Sequence, residues 1–486
     1  MGIASRAMGG RDALDDDFRA WARARGIAYD DARCAVRGDD ARGRSVECAC
    51  ALATGTTLAT IPKSACLTTT TSALGGIEDV RARGVVGLCV AVAHERALGA
   101  KSTFAAYLKT LPAREALPST FAAEHEARRA LRGTTVEGML EADAHAIEDD
   151  YHEFASEMEK PFARHGVKMP TLDEFRDAAT IVASRAFFVD DSLGQGLVPF
   201  ADLFNHKGGS DGAHFNVVGC DDVDVDALTL VSCREAKPGE ELFNSFGDDH
   251  DNNVLFYKYG FVERDNRVDK ISFNFGSWSL RNIGDTVFES VHDWMTANYD
   301  GVEELDIDAD GAMSRPLLAL LRIVSFKLLN ETESGATDDD ATIGDLLERT
   351  MTGDESEAEI LEGVLDDVVL TLFRSRLNAY LDAEEHSDCD EDVSSILRDV
   401  ALEIKRSVDL ATDASRVRQT FGTGISGVAA AHHIRADELG LLMKAIIRAF
   451  DMGEEEDDED TRDAKKPKLV EVVPAYAPTI YIKPKE

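Results

Sequence analysis

Residues 197–209, LVPFADLFNHKGG, drive an apolar run directly into Asn205-His206 and then into Lys207-Gly208-Gly209. An amide followed by an imidazole at the end of a core segment has two readings. It starts a surface loop, or it stands where buried chain opens onto a ligand. The segment belongs to a stretch of strands and turns, 193–275, in which Leu228–Ser232 reads as a strand and Lys237-Pro238-Gly239-Glu240 as a turn. Residues 241–246 read as another strand, ended by Gly247. A chain with this centre has to close a small sheet around a polar end.

The flanks differ from the centre. Residues 15–75 read as a helix followed by short strands: 45–52 alternates weakly, and 57–61 is extended until Pro62 stops it. Residues 85–180 carry apolar side chains at helical spacing, and so do 276–450. There one face is traced by Ile360, Leu361, Val364, Leu365 and Val368, a second by Ile396, Leu397, Val400 and Ile404, and a third by Leu441, Leu442 and Ala445. With 486 residues, one hydrophobic core is too few. The reading is an α+β protein: residues 15–275 form one domain with a helical insertion at about 80–180, and residues 276–452 form an all-helical second domain. From Gly453 the acidic block 454–460 is expected to be a disordered tail; the basic tetrad Lys465-Lys466-Pro467-Lys468 has the form of a nuclear import signal.

Charge narrows the partners. Asp and Glu number 91 against 52 Lys and Arg, a formal net charge of −39. Such a surface repels nucleic acid and attracts basic proteins, although solubility alone also accounts for it. No apolar run approaches the roughly 20 residues that cross a membrane. The first residues show no secretory apolar core, and a helical pattern begins too early to leave room for a transit peptide. The eight cysteines contain no Cys-x-x-Cys, so reduced thiols and no metal are expected. The expected setting is cytoplasmic or nuclear, for a monomer.

Six stretches recur in a characteristic order: LATIPKSACLT at 58–68, KSTFAAYLKTLP at 101–112, SRAF at 184–187, VPFADLFNH at 198–206, KPGEELFNSFG at 237–247 and NNVLFYKYGFVE at 252–263. Together they resemble the SET-domain protein-lysine methyltransferases of the Rubisco large-subunit methyltransferase type. The helical C-terminal half resembles that subfamily's substrate-binding domain. The resemblance covers roughly residues 15–450. It implies a pseudoknotted β-fold and S-adenosylmethionine as cofactor. Asn205 would contact the cofactor's methionine end, the His206 backbone its adenine, and Arg185 its carboxylate. Arg42, Gly43 and Arg44 would offer backbone groups to its other side. Tyr259 would be catalytic, Phe246 would line both the cofactor and the reacting centre, and Phe200 and Phe261 would wall the substrate channel. The clients it suggests, given the charge, are ribosomal, translation-factor or chromatin proteins.

Two positions depart from the family pattern. Gly43-Arg44-Ser45 lacks the second glycine of the usual Gly-x-Gly, and Phe246 stands where tyrosine is usual. The ring at 246 keeps a wall and loses a hydroxyl. Histidine methylation, or a SET-shaped binding module with little turnover, are the rival readings; the intact Tyr259-Gly260-Phe261 favours lysine.

Overall fold

The computed structural model describes residues 11–12, 16–39, 43–122, 124–143, 145–209, 212–263, 266–272, 305–322, 349, 356, 359–360, 406–407 and 424–453. The chain divides into two compact units. The first comprises residues 1–123, 139–266 and 414–430; the second comprises 124–138, 267–413 and 431–486.

The first unit is built from short strands around a helical layer. Strands β1 (Arg11–Asp12), β3 (Cys34–Asp39) and β4 (Gly43–Cys48) form one antiparallel sheet. A four-stranded sheet runs in the order β10 (Phe215–Val218), β11 (Ala227–Ser232), β5 (Thr57–Pro62) and β2 (Ala28–Tyr29). Alternation along β11 explains its place: Leu228, Leu230 and Ser232 face inward, and the residues between them are half-buried. A third sheet runs β6 (Leu67–Thr68), β8 (Gly194–Leu197), β7 (Ala186–Asp190).

Helices pack on these strands. α1 (Asp16–Ala24) buries Phe18 and Ala22. α2 (Gly84–Leu98) is buried from Gly87 to Ala93. A Cβ at Gly87 would lie 2.2 Å from the Val80 carbonyl oxygen, so only glycine permits that approach. α3 (Ala146–His165) precedes α4 (Leu172–Arg185), which starts on a capping box: the Thr171 hydroxyl accepts from Glu174 N, and the Glu174 carboxylate accepts from Thr171 N. α4 buries Phe175, Ala178, Ile181 and Val182, the inward stripe of a helix, and this fixes Arg185 at its last turn.

The centre of the unit is a parallel pair. β9 (Asn205–His206) lies beside β12 (Phe243–Asn244), with Phe243 opposite Asn205 and Asn244 opposite His206. The strand expected over 241–246 is thus only two residues long. Beyond it, a side chain replaces the ladder, because Phe246 N donates to the His206 imidazole. A helix, α5 (Asn252–Tyr259), then interrupts the region read as strands and turns. Its ends are marked: Asp251 caps it by accepting from Val254 N at 2.8 Å, and Gly260 closes it in the left-handed conformation at φ 78°. β13 (Phe261–Glu263) comes next.

In the second unit, β14 (Lys270–Ser272) pairs antiparallel with β15 (Asp306–Asp308), and the chain is helical over 315–322. Thr135 N donates to Glu438, and Lys444 Nζ to the Ala309 carbonyl. The expectation of an all-helical region after 276 is corrected at two places. β15 lies there, and so does β16 (Gly424–Ser426), which belongs to the first unit and pairs antiparallel with β13. The physical reason is an unpaired edge: backbone donors and acceptors of β13 need partners, and an extended Gly-Ile-Ser supplies them. The helix α6 (Val428–Gly453) contains the apolar positions Leu441, Leu442 and Ala445, all buried. The faces read over 361–377 and 396–408, apart from Arg406 and Ser407, and the acidic tail lie outside the described residues.

Candidate active site

The end of α4, the segment around β9, the end of β12 and the α5–β13 junction converge on one cleft of about 270 Å³. Glu115, Arg185, Asp202, Asn205, Phe246, Tyr259 and Phe261 are among its walls.

Asn205 is held from behind. Its Nδ2 donates to the Arg44 carbonyl at 3.0 Å and to Glu241 Oε1 at 2.7 Å. Burial pushes the Glu241 carboxyl above its ordinary range; the Asn205 hydrogen bond opposes this, and Glu47, bridged to Glu241 across antiparallel strands, adds to it.

His206 faces the core. Its Nδ1 accepts from Phe246 N at 3.0 Å, which places the ring proton on Nε2. Nε2 lies 3.7 Å from Glu263 Oε2 and has no hydrogen-bond partner among the described residues. Burial, with the neighbouring His250, lowers the imidazole to about 4, so it is neutral at pH 7. A neutral acceptor at this position fixes the Phe246 backbone.

The aromatic wall is continuous. Phe246 and Tyr259 have ring centroids 4.9 Å apart, and Phe261 stands 6.2 Å from each. The Tyr259 hydroxyl donates to the Phe246 carbonyl oxygen at 3.3 Å, and burial raises its pKa.

At the other side, Arg185 Nε donates to Glu115 Oε1 at 2.6 Å and Nη1 to the Asp202 carbonyl at 2.9 Å. The Tyr107 hydroxyl donates to Asp202 Oδ2 at 2.7 Å, while buried Asp202 Oδ1 has no partner among the described residues. Burial raises the Asp202 carboxyl, against the pull of Arg185.

Of the residues read from sequence, Arg185, Asn205, Phe246, Tyr259 and Phe261 meet in the cleft, with His206 behind it. Arg44 meets Asn205 through its carbonyl, while its guanidinium donates to the Thr110 carbonyl and its charge acts on Asp202 in the cleft wall. Gly43 sits in the β3–β4 ladder opposite Asp39. Arg42 lies outside the described residues. Phe200 is not brought in, which corrects its reading as a channel wall. It is fully buried, stacked on Tyr29 at 4.4 Å and edge-on to Phe204 at 5.6 Å. Its φ of 77°, rare for a side chain of this size, leads the chain into the 3-10 segment Ala201–Leu203.

Three site residues escaped the sequence reading. Asp202 and Glu241 lie inside quoted motifs and were legible there as carboxylates in apolar runs. Glu115 carries no local signal.

The cleft's donor set suits an amino acid carrying an adenosylated sulfonium. The Arg185 guanidinium answers a carboxylate, and the Asn205 amide supplies a second polar partner.

The chain has the fold of the SET domains of the Rubisco large-subunit methyltransferase type. One solved SET domain of that enzyme, bound to methyllysine and S-adenosylhomocysteine, superposes with a TM-score of 0.65 at 18% identity, covering 94% of this chain and 99% of the other. A second, Rubisco methyltransferase bound to S-adenosylmethionine, gives a TM-score of 0.64 at 18% identity over 93% and 98%. Among curated proteins, the chain is 28% identical over 237 residues to the N-lysine methyltransferase setd6 of Xenopus laevis, 44% of this chain and 49% of that protein. It is 27% identical over 134 residues to an uncharacterized protein of Schizosaccharomyces pombe, 27% of this chain and 28% of that one. The chain thus matches less than half the length of these curated relatives. No family model matches the sequence.

Proposed function

We propose that the chain is an S-adenosylmethionine-dependent protein-lysine N-methyltransferase acting on a basic protein. The observation that carries this is the meeting, in one cleft, of the Arg185 and Asn205 polar end with the Phe246–Tyr259–Phe261 aromatic end. Lysine and cofactor complexes of the structural neighbours support it.

S-adenosylmethionine, when bound, supplies a methyl group on a cationic sulfonium. Arg185 and Asn205 hold its amino-acid end, and the His206 backbone its adenine. Phe246 and Phe261 exclude water from the reacting centre. A lysine needs a neutral amine, and its free pKa is about 10.4. An aromatic channel lowers that value by desolvation. The Tyr259 hydroxyl orients the amine, with the Phe246 carbonyl fixing the hydroxyl, so the contribution of the protein is mostly alignment. The net charge of −39 favours a basic client such as a ribosomal, translation-factor or chromatin protein, met in the cytoplasm or nucleus. The region 276–452 grips that client.

The test is transfer of isotopically labelled methyl from S-adenosylmethionine into an extract of the source organism, with mass spectrometry locating the label. Label on a lysine of a basic protein is expected. Label on an acidic protein alone overturns the client assignment, and label on histidine overturns the target residue. The second reading, a binding module, is favoured by Phe246. It predicts cofactor binding by the folded chain with no label transferred.

A further inference from the structure

We infer that Glu241 is a positioning residue that fixes the rotation of the Asn205 amide, so that the cleft receives its carbonyl oxygen and selects a ligand with a cationic amino group. This deepens the function proposed above and rests on it.

The two faces of an asparagine amide differ only in which of oxygen and nitrogen points where, and a neighbour must decide. Here the decision is chemical. Both partners behind Asn205, the Arg44 carbonyl and the Glu241 carboxylate, are acceptors, so only the NH2 group can face them. Both amide protons are thereby consumed, and Oδ1 is what the amide has left for the cleft that Asn205 lines. The Arg44 carbonyl alone takes one proton; Glu241 takes the other at 2.7 Å and makes the flipped amide unfavourable, because that would set oxygen against oxygen.

A half-buried carboxyl set beside a like charge is costly unless a donor answers it. Glu241 sits opposite the like-charged Glu47, with its own carboxyl pushed upward by burial, and Asn205 Nδ2 is the donor seen on its Oε1. The resulting cleft presents the Asn205 Oδ1 acceptor among walls that include the Arg185 cation. A zwitterionic α-amino acid end matches that pairing; an adenosine lacking it does not.

The experiment compares two probes on the full chain by calorimetry at neutral pH. S-adenosylhomocysteine carries the amino-acid end, and 5′-methylthioadenosine keeps the adenosine and thioether without it. In Glu241→Met the amide loses its orienting acceptor. S-adenosylhomocysteine should bind at least tenfold more weakly, with 5′-methylthioadenosine unchanged within twofold. Glu241→Gln retains a carbonyl acceptor and should restore S-adenosylhomocysteine affinity to within threefold. Equal weakening of both probes in Glu241→Met means a structural role and overturns the inference, as does no weakening of either. Should Glu241→Met fail to fold, Glu241→Gln still decides: a tenfold loss there shows that charge, not amide rotation, matters. No binding of either probe by the unaltered chain sinks the cofactor reading itself, and this inference with it.

Discussion

The Tyr259 hydroxyl and the Phe246 carbonyl, thirteen residues apart, share a hydrogen bond of 3.3 Å at the mouth of the aromatic wall. The bond is long, and the side chain at 246 has no hydroxyl to complement it. Orientation of an incoming amine therefore falls on Tyr259. Tyr259→Phe should lower the rate of methyl transfer at least about tenfold, roughly 1.4 kcal/mol of barrier, with S-adenosylhomocysteine affinity unchanged. Full activity in that variant would remove Tyr259 from the catalytic residues.

Phe246→Tyr tests the converse. If the absent hydroxyl limits the rate, turnover rises without a change in cofactor affinity, as read from initial rates and calorimetry. An unchanged rate would show that the single hydroxyl of Tyr259 suffices.

His206 links pH to stability. Its folded value of about 4 lies below the ordinary 6.5, so the unfolded chain takes up the proton first as pH falls. Stability is therefore full above about pH 6.5, declines as pH falls towards 4, and levels off below. The total is on the order of 3 kcal/mol. In His206→Gln, whose carbonyl can still accept from Phe246 N, the decline between pH 6.5 and 5 should flatten in urea titrations. An unaltered slope would place the responsible group elsewhere.

Asp190 and Lys63 form a buried ion pair at 2.7 Å, both side chains almost fully enclosed. Although burial works against it, hydrogen bonds from Lys63, Ser192 and Leu193 bring Asp190 down to about 2. Its contribution is present above about pH 4 and lost as pH falls towards 2. Asp190→Asn should cost about 3–5 kcal/mol at pH 7, because Lys63 is left charged and unmatched. A loss below about 1 kcal/mol would mean that the Asp222 carbonyl, which also accepts from Lys63 Nζ at 2.7 Å, is enough to hold the ammonium.

Gly260 separates Tyr259 from Phe261 at φ 78°, and a Cβ there would come 2.8 Å from the Ala116 carbonyl oxygen. Gly260→Ala should cost about 1–3 kcal/mol. It should also slow turnover, since both neighbours wall the cleft. Loss of stability with turnover intact would separate the two effects.

The site was legible in sequence wherever a residue's place is set by its own segment. Asn205-His206 and Tyr259-Gly260-Phe261 belong to short rigid stretches, and the structure brings them into or against the cleft. Phe200 was read as a channel wall from the resemblance, but its ring is buried against Tyr29 and Phe204 at a left-handed backbone angle that composition does not encode. The α5 helix was missed although Asp251 and Gly260 announce its ends; eight residues with little amphipathic contrast look like a strand when the caps are passed over. Glu115 was beyond reach, since its partner Arg185 is seventy residues away. β16 was equally hidden, because pairing with a strand far upstream leaves no trace in local periodicity.

That last pairing has a consequence for how the protein is made. When Phe261 leaves the ribosome, the strand that will lie beside it is still roughly 160 residues from synthesis. At about 5–20 residues per second, the nascent chain waits on the order of ten to thirty seconds with that edge uncovered. A ribosome that stalls or stops in the interval releases a product with every aromatic residue of the cleft wall but an open sheet edge beside it. Such fragments should be aggregation-prone clients of chaperones, and completion of the chain works as a late checkpoint on the site.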